Sequence, residues 1–164
     1  MSITVLHMIR QDELQHAAAR NTPVGVLRDF VKFPYIDGGE NMDSAKRVAL
    51  RDDRQVAAAT MLYRTGQYTP VATIATTDID LAYTLTNNID TSWAGEPDAR
   101  VMVLDSTNLI RHGDSVGCAS SSIGDLFRNN LNGEYFVCAS CGFLSLGKLD
   151  AAEIAAIPGG LRVG

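Results

Sequence analysis

Three cysteines lie close together toward the C-terminal end of this chain. Two of them frame the turn Cys138-Ala139-Ser140-Cys141-Gly142. A C-x-x-C-G turn between two β-runs resembles a zinc knuckle, in which backbone amides turn toward the thiolates and glycine allows the tight bend. A tetrahedral site needs four ligands, and Cys118 and His112 are the only others nearby. Their spacing fits no standard second knuckle, and strong zinc sites carry two C-x-x-C pairs. The other reading keeps the thiols structural. On a continuous strand Cys138 and Cys141 project to opposite faces, and small cysteines fill cores. No cofactor is expected, with zinc at Cys118, Cys138, Cys141 and His112 as the one candidate. A redox role would need a helix N-terminus to lower a thiol pKa, and Gly142-Phe143-Leu144 announces no helix.

Arg111-His112-Gly113-Asp114-Ser115, with Cys118, offers a base, a carboxylate and two nucleophiles. Triads, however, are assembled by the fold around an oriented base and an oxyanion site. No nucleophile motif surrounds Ser115 or Cys118, and Gly, Asp and Ser are also what a polar turn contains. No catalytic residue is assigned. Phosphate loops, EF-hand spacing and H-E-x-x-H are absent from the sequence.

A third constellation is Asn87, Asn88, Asp90 and Trp93, with the later turn Ser120, Ser121, Ser122, Gly124 and Asp125. Tryptophan beside polar groups can anchor a partner, or it can cover one end of a core with its indole N–H bonded to a carbonyl. The serine turn can hold a ligand with its hydroxyls and amides, or close a loop on itself. Asn87, Asp90, Trp93, Ser120, Ser122 and Asp125 are the candidate ligand- or partner-binding residues, around a pocket between the two segments.

The elements that must position these groups follow from local patterns. Residues 2–9 read as a strand, and Asp12 can cap a short helix ending near Asn21. Pro23, Pro34 and Gly38-Gly39 interrupt 22–45, which reads as a short helix or turn and then a loop. Asp52 or Asp53 can cap a helix that Gly66 ends. Val56, Ala59, Met61, Leu62 and Tyr63 wrap around it, which predicts a well-buried helix. Val71–Ala75 is a compact strand, and Thr77 with Asp80 caps a helix to Asn87-Asn88 whose inner stripe is Ile79, Ala82, Leu85 and Ile89. Val101–Leu104 is a strand. Asn132-Gly133 marks a two-residue hairpin, and Tyr135–Leu146 is one long strand or two short ones. Asp150 and Glu153 cap a last short helix before Pro158.

The order Tyr83-Thr84-Leu85-Thr86-Asn87-Asn88-Ile89-Asp90-Thr91-Ser92-Trp93, then Ser120-Ser121-Ser122-Ile123-Gly124-Asp125-Leu126, Tyr135-Phe136-Val137 and Gly142-Phe143, resembles small accessory proteins of bacteriophages and large mobile plasmids. In these an L-T-N-x-I-D-x-x-W pattern precedes an S-T-S-V-G-D-type turn and a last hairpin. The likeness covers roughly residues 60–146. A basic residue often stands in that pattern where Ala119 does here, so no anion-binding role is carried over. The resemblance implies a mobile-element origin and a host-directed or counter-defence role in the cytoplasm of a host bacterium, and it supplies no active site.

Composition sets the outer bounds. The 164 residues suit one domain: a helix-rich part over 1–66, an α+β core over 67–147, and a short helix and tail over 148–164. The fold class expected is α+β, a strand–helix unit packed on a small antiparallel sheet closed by C-terminal hairpins. A net charge of −5 has the wrong sign for a nucleic-acid binder. Lys46, Arg47, Arg51 and Arg54 are interleaved with Asp43, Asp52 and Asp53, which reads as a solvated mixed-charge face. Met1–His7 lacks the pattern of a signal peptide, and no uncharged run approaches the roughly 20 residues of a membrane helix. The function expected is non-enzymatic: binding of a host or viral protein. Alternatives are a small-ligand-binding protein or small enzyme, and a zinc-stabilised binding module.

Overall fold

In the computed structural model the described residues are 1–9, 11, 13–35, 43–88, 93–95, 97–104, 109–112, 115–118 and 120–150, with backbone alone for 13, 109–112 and 115–118. The first strand, β1 (Ile3–Met8), is central to a six-stranded sheet. It pairs antiparallel with β2 (Tyr68–Ile74) on one side and β6 (Leu126–Asn129) on the other. Beyond β2 lies the short strand β3 (Val101–Val103). Beyond β6 come β7 (Glu134–Cys138) and β8 (Phe143–Lys148), giving the order β3-β2-β1-β6-β7-β8. A separate hairpin pairs β4 (Leu109–His112) with β5 (Ser115–Cys118).

The class is α+β, and the large sheet is antiparallel throughout and open, with β3 and β8 at its edges. The strand of the strand–helix unit is part of this sheet, where the sequence suggested a unit laid upon a smaller one. The reason is β1, whose alternating sides are both apolar and therefore need cover on both faces. Ile3 and Val5 join Ala82, Trp93, Val101 and Phe127 in one buried cluster, whereas Leu6 and Met8 join Val31, Ala58, Ala59, Leu62 and Val137 in the other.

Helices α1 (Glu13–Ala19), α2 (Pro23–Lys32) and α3 (Ser44–Arg64) follow β1. Pro23, read from sequence as a breaker, is the first helical residue of α2, where its missing N–H costs nothing. The Thr22 hydroxyl caps that helix by accepting the Gly25 N–H at 3.1 Å. Gly25 is required because a Cβ there would lie 1.9 Å from the Ala19 carbonyl oxygen closing α1. Asp43 caps α3, accepting the Lys46 N–H at 2.8 Å, so Asp52 and Asp53 are mid-helix residues and not caps. The helix also differs from the well-buried rod its wrapped apolar pattern predicts. Gln55, Ala58, Ala59 and Leu62 face the core, while Val48 and Met61 are exposed.

On the opposite face lies α4 (Ile79–Leu85), whose N-cap is Asp78 and not Thr77; its carboxylate accepts the N–H groups of Asp80 and Leu81. Ala82 is buried, with Ile79 and Leu85 packed beside it; Ile89 lies outside the described residues. The β6–β7 hairpin has a four-residue loop, since Asn129 pairs with Glu134. Asn130 is drawn out of the ladder because its amide donates to the Ser2 hydroxyl and its N–H to the Ser2 carbonyl. The residues of the expected final helix, 151–157, lie outside the described ones, as does Asp12.

Candidate functional site

The two segments singled out from sequence meet at the end of α4. Thr86 closes that helix and is fully buried; its hydroxyl lies 2.9 Å from the Ala82 carbonyl and 2.6 Å from the Ser121 hydroxyl. The Ser121 N–H donates to the Thr86 carbonyl at 2.9 Å. Two residues on, the Asn88 N–H donates to Ser120 Oγ at 2.8 Å. The Asn88 side-chain oxygen accepts the Trp93 N–H at 3.0 Å, and the Asn87 amide donates back to the Tyr83 carbonyl. Thr86 and Asn88 are thus hydrogen-bonded directly to Ser121 and Ser120, which joins the two segments where they meet. Asp90 lies outside the described residues.

Beneath them is His7 of β1. Its Nε2 is 3.0 Å from Ser121 Oγ and 3.8 Å from an Asp125 oxygen. Asp125 accepts the N–H groups of Ser122 at 2.9 Å and Met8 at 3.2 Å, and Ser122 Oγ lies 3.4 Å away. Trp93, itself buried, meets the His7 ring edge-on with centroids 6.1 Å apart. The turn is held from below where the Tyr68 hydroxyl donates to the Gly124 carbonyl at 2.6 Å. Burial pushes the His7 pKa down, against the opposing pull of the Asp125 carboxylate. Burial likewise raises Asp125, opposed by His7 and by the two backbone N–H donors. Imidazole, hydroxyl and carboxylate invite comparison with a triad. Here the carboxylate and the hydroxyl approach the same imidazole nitrogen, whereas a triad uses both nitrogens. Exposures of 2% for His7, 2% for Ser121 and 6% for Asp125 seal the group from solvent. Chemically the cluster is a clamp between α4, β1 and the 120–125 turn.

Cys138 and Cys141 differ in their surroundings. Cys138 ends β7 in the core, and burial pushes its thiol pKa up to about 11. Cys141 is exposed in the turn closed by the Ala139 N–H on the Gly142 carbonyl. On the β4–β5 hairpin His112 pairs with Ser115 and Cys118 with Leu109, so the two occupy opposite ends of that ladder. Their side chains lie outside the described residues, and among the described ones no three His, Cys, Asp or Glu side chains gather.

The surface feature that local sequence patterns did not reveal is a groove of about 320 Å³ between α2 and α3. Half-buried Leu27 and Phe30 with buried Ala58 form its floor; Val26, Arg54, Ala57 and Met61 form its rim. Val26 and Met61 are 55% and 56% exposed. The signal available in the sequence was the surplus of apolar positions around α3, beyond what one buried stripe can use. His7 had a signal as well: it follows Ile3 and Val5 on the inward side of β1, where a polar group needs a buried partner.

Comparisons of the chain with protein-family models, with curated proteins and with solved structures yield no match. Fold and surfaces together define an α+β protein with a polar clamp on one side of its sheet and an apolar inter-helix groove on the other.

Proposed function

We propose that this chain acts by binding another protein, and that it does so through the α2–α3 groove. The observation that carries the reading is the pair of large apolar side chains, Val26 and Met61, held more than half exposed on the rim of an apolar depression. Scattered surface hydrophobics are ordinary, whereas apolar side chains gathered around one depression are a feature that protein-binding faces share. The likeness of residues 60–146 to accessory proteins of phages and mobile plasmids supports placing the partner among host or viral proteins, in a host-directed or counter-defence role.

The test is affinity capture from bacterial lysate, quantified by mass spectrometry, with the wild-type chain beside a Val26→Asp/Met61→Asp variant. A partner captured by the former and lost by the latter is the expected result. An identical set of captured proteins for both chains would overturn the reading. So would a defined turnover activity abolished by one polar-to-Ala change that leaves the fold intact.

A further inference from the structure

We infer that residues 147–150 form a strap at the edge of the sheet, hinged at Gly147 and fastened by Asp150, which opens while the rest of β8 stays paired. The hinge shows in the ladder. Cys138, Val137 and Phe136 face Phe143, Leu144 and Ser145 in unbroken register, but Tyr135 faces Gly147, so Leu146 is an extra residue. Gly147 has φ +74°, and among the described residues nothing beyond its chain neighbours lies within 4 Å of where its Cβ would stand. A glycine in the left-handed region is what a bulge of this kind uses, and it leaves the backbone free to turn there. The Gly147 N–H goes to the Ser145 hydroxyl at 3.1 Å, within β8 itself. Beyond the bulge, Gly147 and Lys148 are the two described residues that still pair with β7.

The fastening is a single carboxylate held from three elements. Arg128 on β6 gives Asp150 Oδ2 its Nε–H at 3.2 Å and an Nη2–H at 2.8 Å. The Tyr135 hydroxyl on β7 donates to Oδ1 at 2.9 Å. The Tyr63 hydroxyl on α3 lies 3.3 Å from that oxygen and 2.8 Å from the Tyr135 hydroxyl. These holders have contacts of their own. The Arg128 guanidinium lies over the Tyr135 ring, 5.7 Å from its centroid, and donates to the Asn130 side chain; the two tyrosine rings meet at 4.7 Å. An exposed Arg–Asp pair alone contributes little, whereas several charge-assisted bonds converging on one chain segment contribute more. The Asp150 side chain is 47% exposed, so water can replace its partners as it leaves. Phe143, Leu144 and Leu146, before the hinge, pack against the two buried clusters instead. Past the hinge, Leu149 is the one apolar anchor, buried with Leu62 and Tyr135. Local opening therefore divides at Gly147.

The experiment is amide hydrogen exchange, followed residue by residue by NMR on the full chain, with wild type beside Asp150→Asn and Tyr63→Phe. In wild type, residues 147–150 are expected to exchange faster than 143–145. Asp150→Asn should speed exchange at 147–150 about tenfold, as for loss of hydrogen bonds to a charged group, and Tyr63→Phe by several-fold. Residues 143–145, and Phe136 and Val137 on β7, should keep their wild-type rates in both variants. Unchanged rates at 147–150 in Asp150→Asn would show that the carboxylate fastens nothing. Equal acceleration through 143–145 would show that β8 opens as one piece, with no hinge at Gly147. Acceleration reaching β1 and β6 in both variants would mean that these groups hold the whole fold and not a strap. Each of these three results overturns the inference, as does a wild-type chain in which 147–150 are as protected as 143–145.

Discussion

At the residue scale, the molecule's polar side chains near α4 are engaged with one another. Ser121 is shared by Thr86 and His7, so Ser121→Ala should leave a buried hydroxyl and an imidazole nitrogen short of a partner, at a cost of about 1–3 kcal/mol. Denaturant unfolding measures that loss, and capture of the partner should be unchanged in folded protein. His7 also predicts a pH dependence. Its folded pKa is lowered, so below the ordinary histidine value of about 6.5 the unfolded chain takes up a proton that the fold resists. Stability should therefore decline as the pH falls from 7.5 toward about 5. Asp125 works in the other direction: its raised pKa favours the fold as acid protonates it, and makes the decline shallower. Melting curves across this range should lose most of the slope in His7→Gln; an unchanged slope would place the titration elsewhere. The thiols give a third test. Alkylation of native protein at pH 8, read by peptide mass spectrometry, should label exposed Cys141 and spare Cys138, whose buried thiol is held at about 11.

At the scale of elements, the 120–125 turn depends on one close approach. Gly124 has φ +95°, and a Cβ there would sit 2.9 Å from Val31 Cγ1 and 3.1 Å from the Val31 carbonyl oxygen at the end of α2. Gly124→Ala should cost about 1–3 kcal/mol for backbone strain alone, with the clash added. Thermal unfolding checks this, and the equivalent change at Ser122, which is exposed, should be far milder. Much at this scale was legible. The strand–helix unit and the end of α3 at Gly66 follow from propensity, capping and turn residues, and of the two readings of Tyr135–Leu146 the structure takes the one with two strands. Boundaries failed where one residue type has two uses: Pro23 can break a helix or begin one, and Asp52 can cap a helix or ride on its surface.

At the scale of the whole molecule, the two faces of one sheet have different cover, α4 on one and α2 with α3 on the other. Among the described residues no helix is long and apolar enough to cross a membrane, so the exposed apolar side chains of α2 and α3 are not part of a membrane-spanning helix there. Val26→Asp/Met61→Asp should leave unfolding within about 0.5 kcal/mol of wild type, because neither side chain is in the core. A large loss measured by chemical denaturation would show instead that these residues hold α2 to α3.

The chain's order of residues was enough to determine the α+β class, most helices and strands, and the pairing of Asn87–Trp93 with Ser120–Asp125 as segments of interest. Such features are written in local spacing, since capping, alternation and turn geometry act over a few residues. Tertiary structure alone decided that Asn88 bonds to Ser120, that His7 reaches Ser121 across 114 residues of chain, and that Met61 and Val26 line one groove. A hydroxyl's partner and a methionine's exposure depend on which distant element packs alongside, and neither local propensity nor periodicity carries that information.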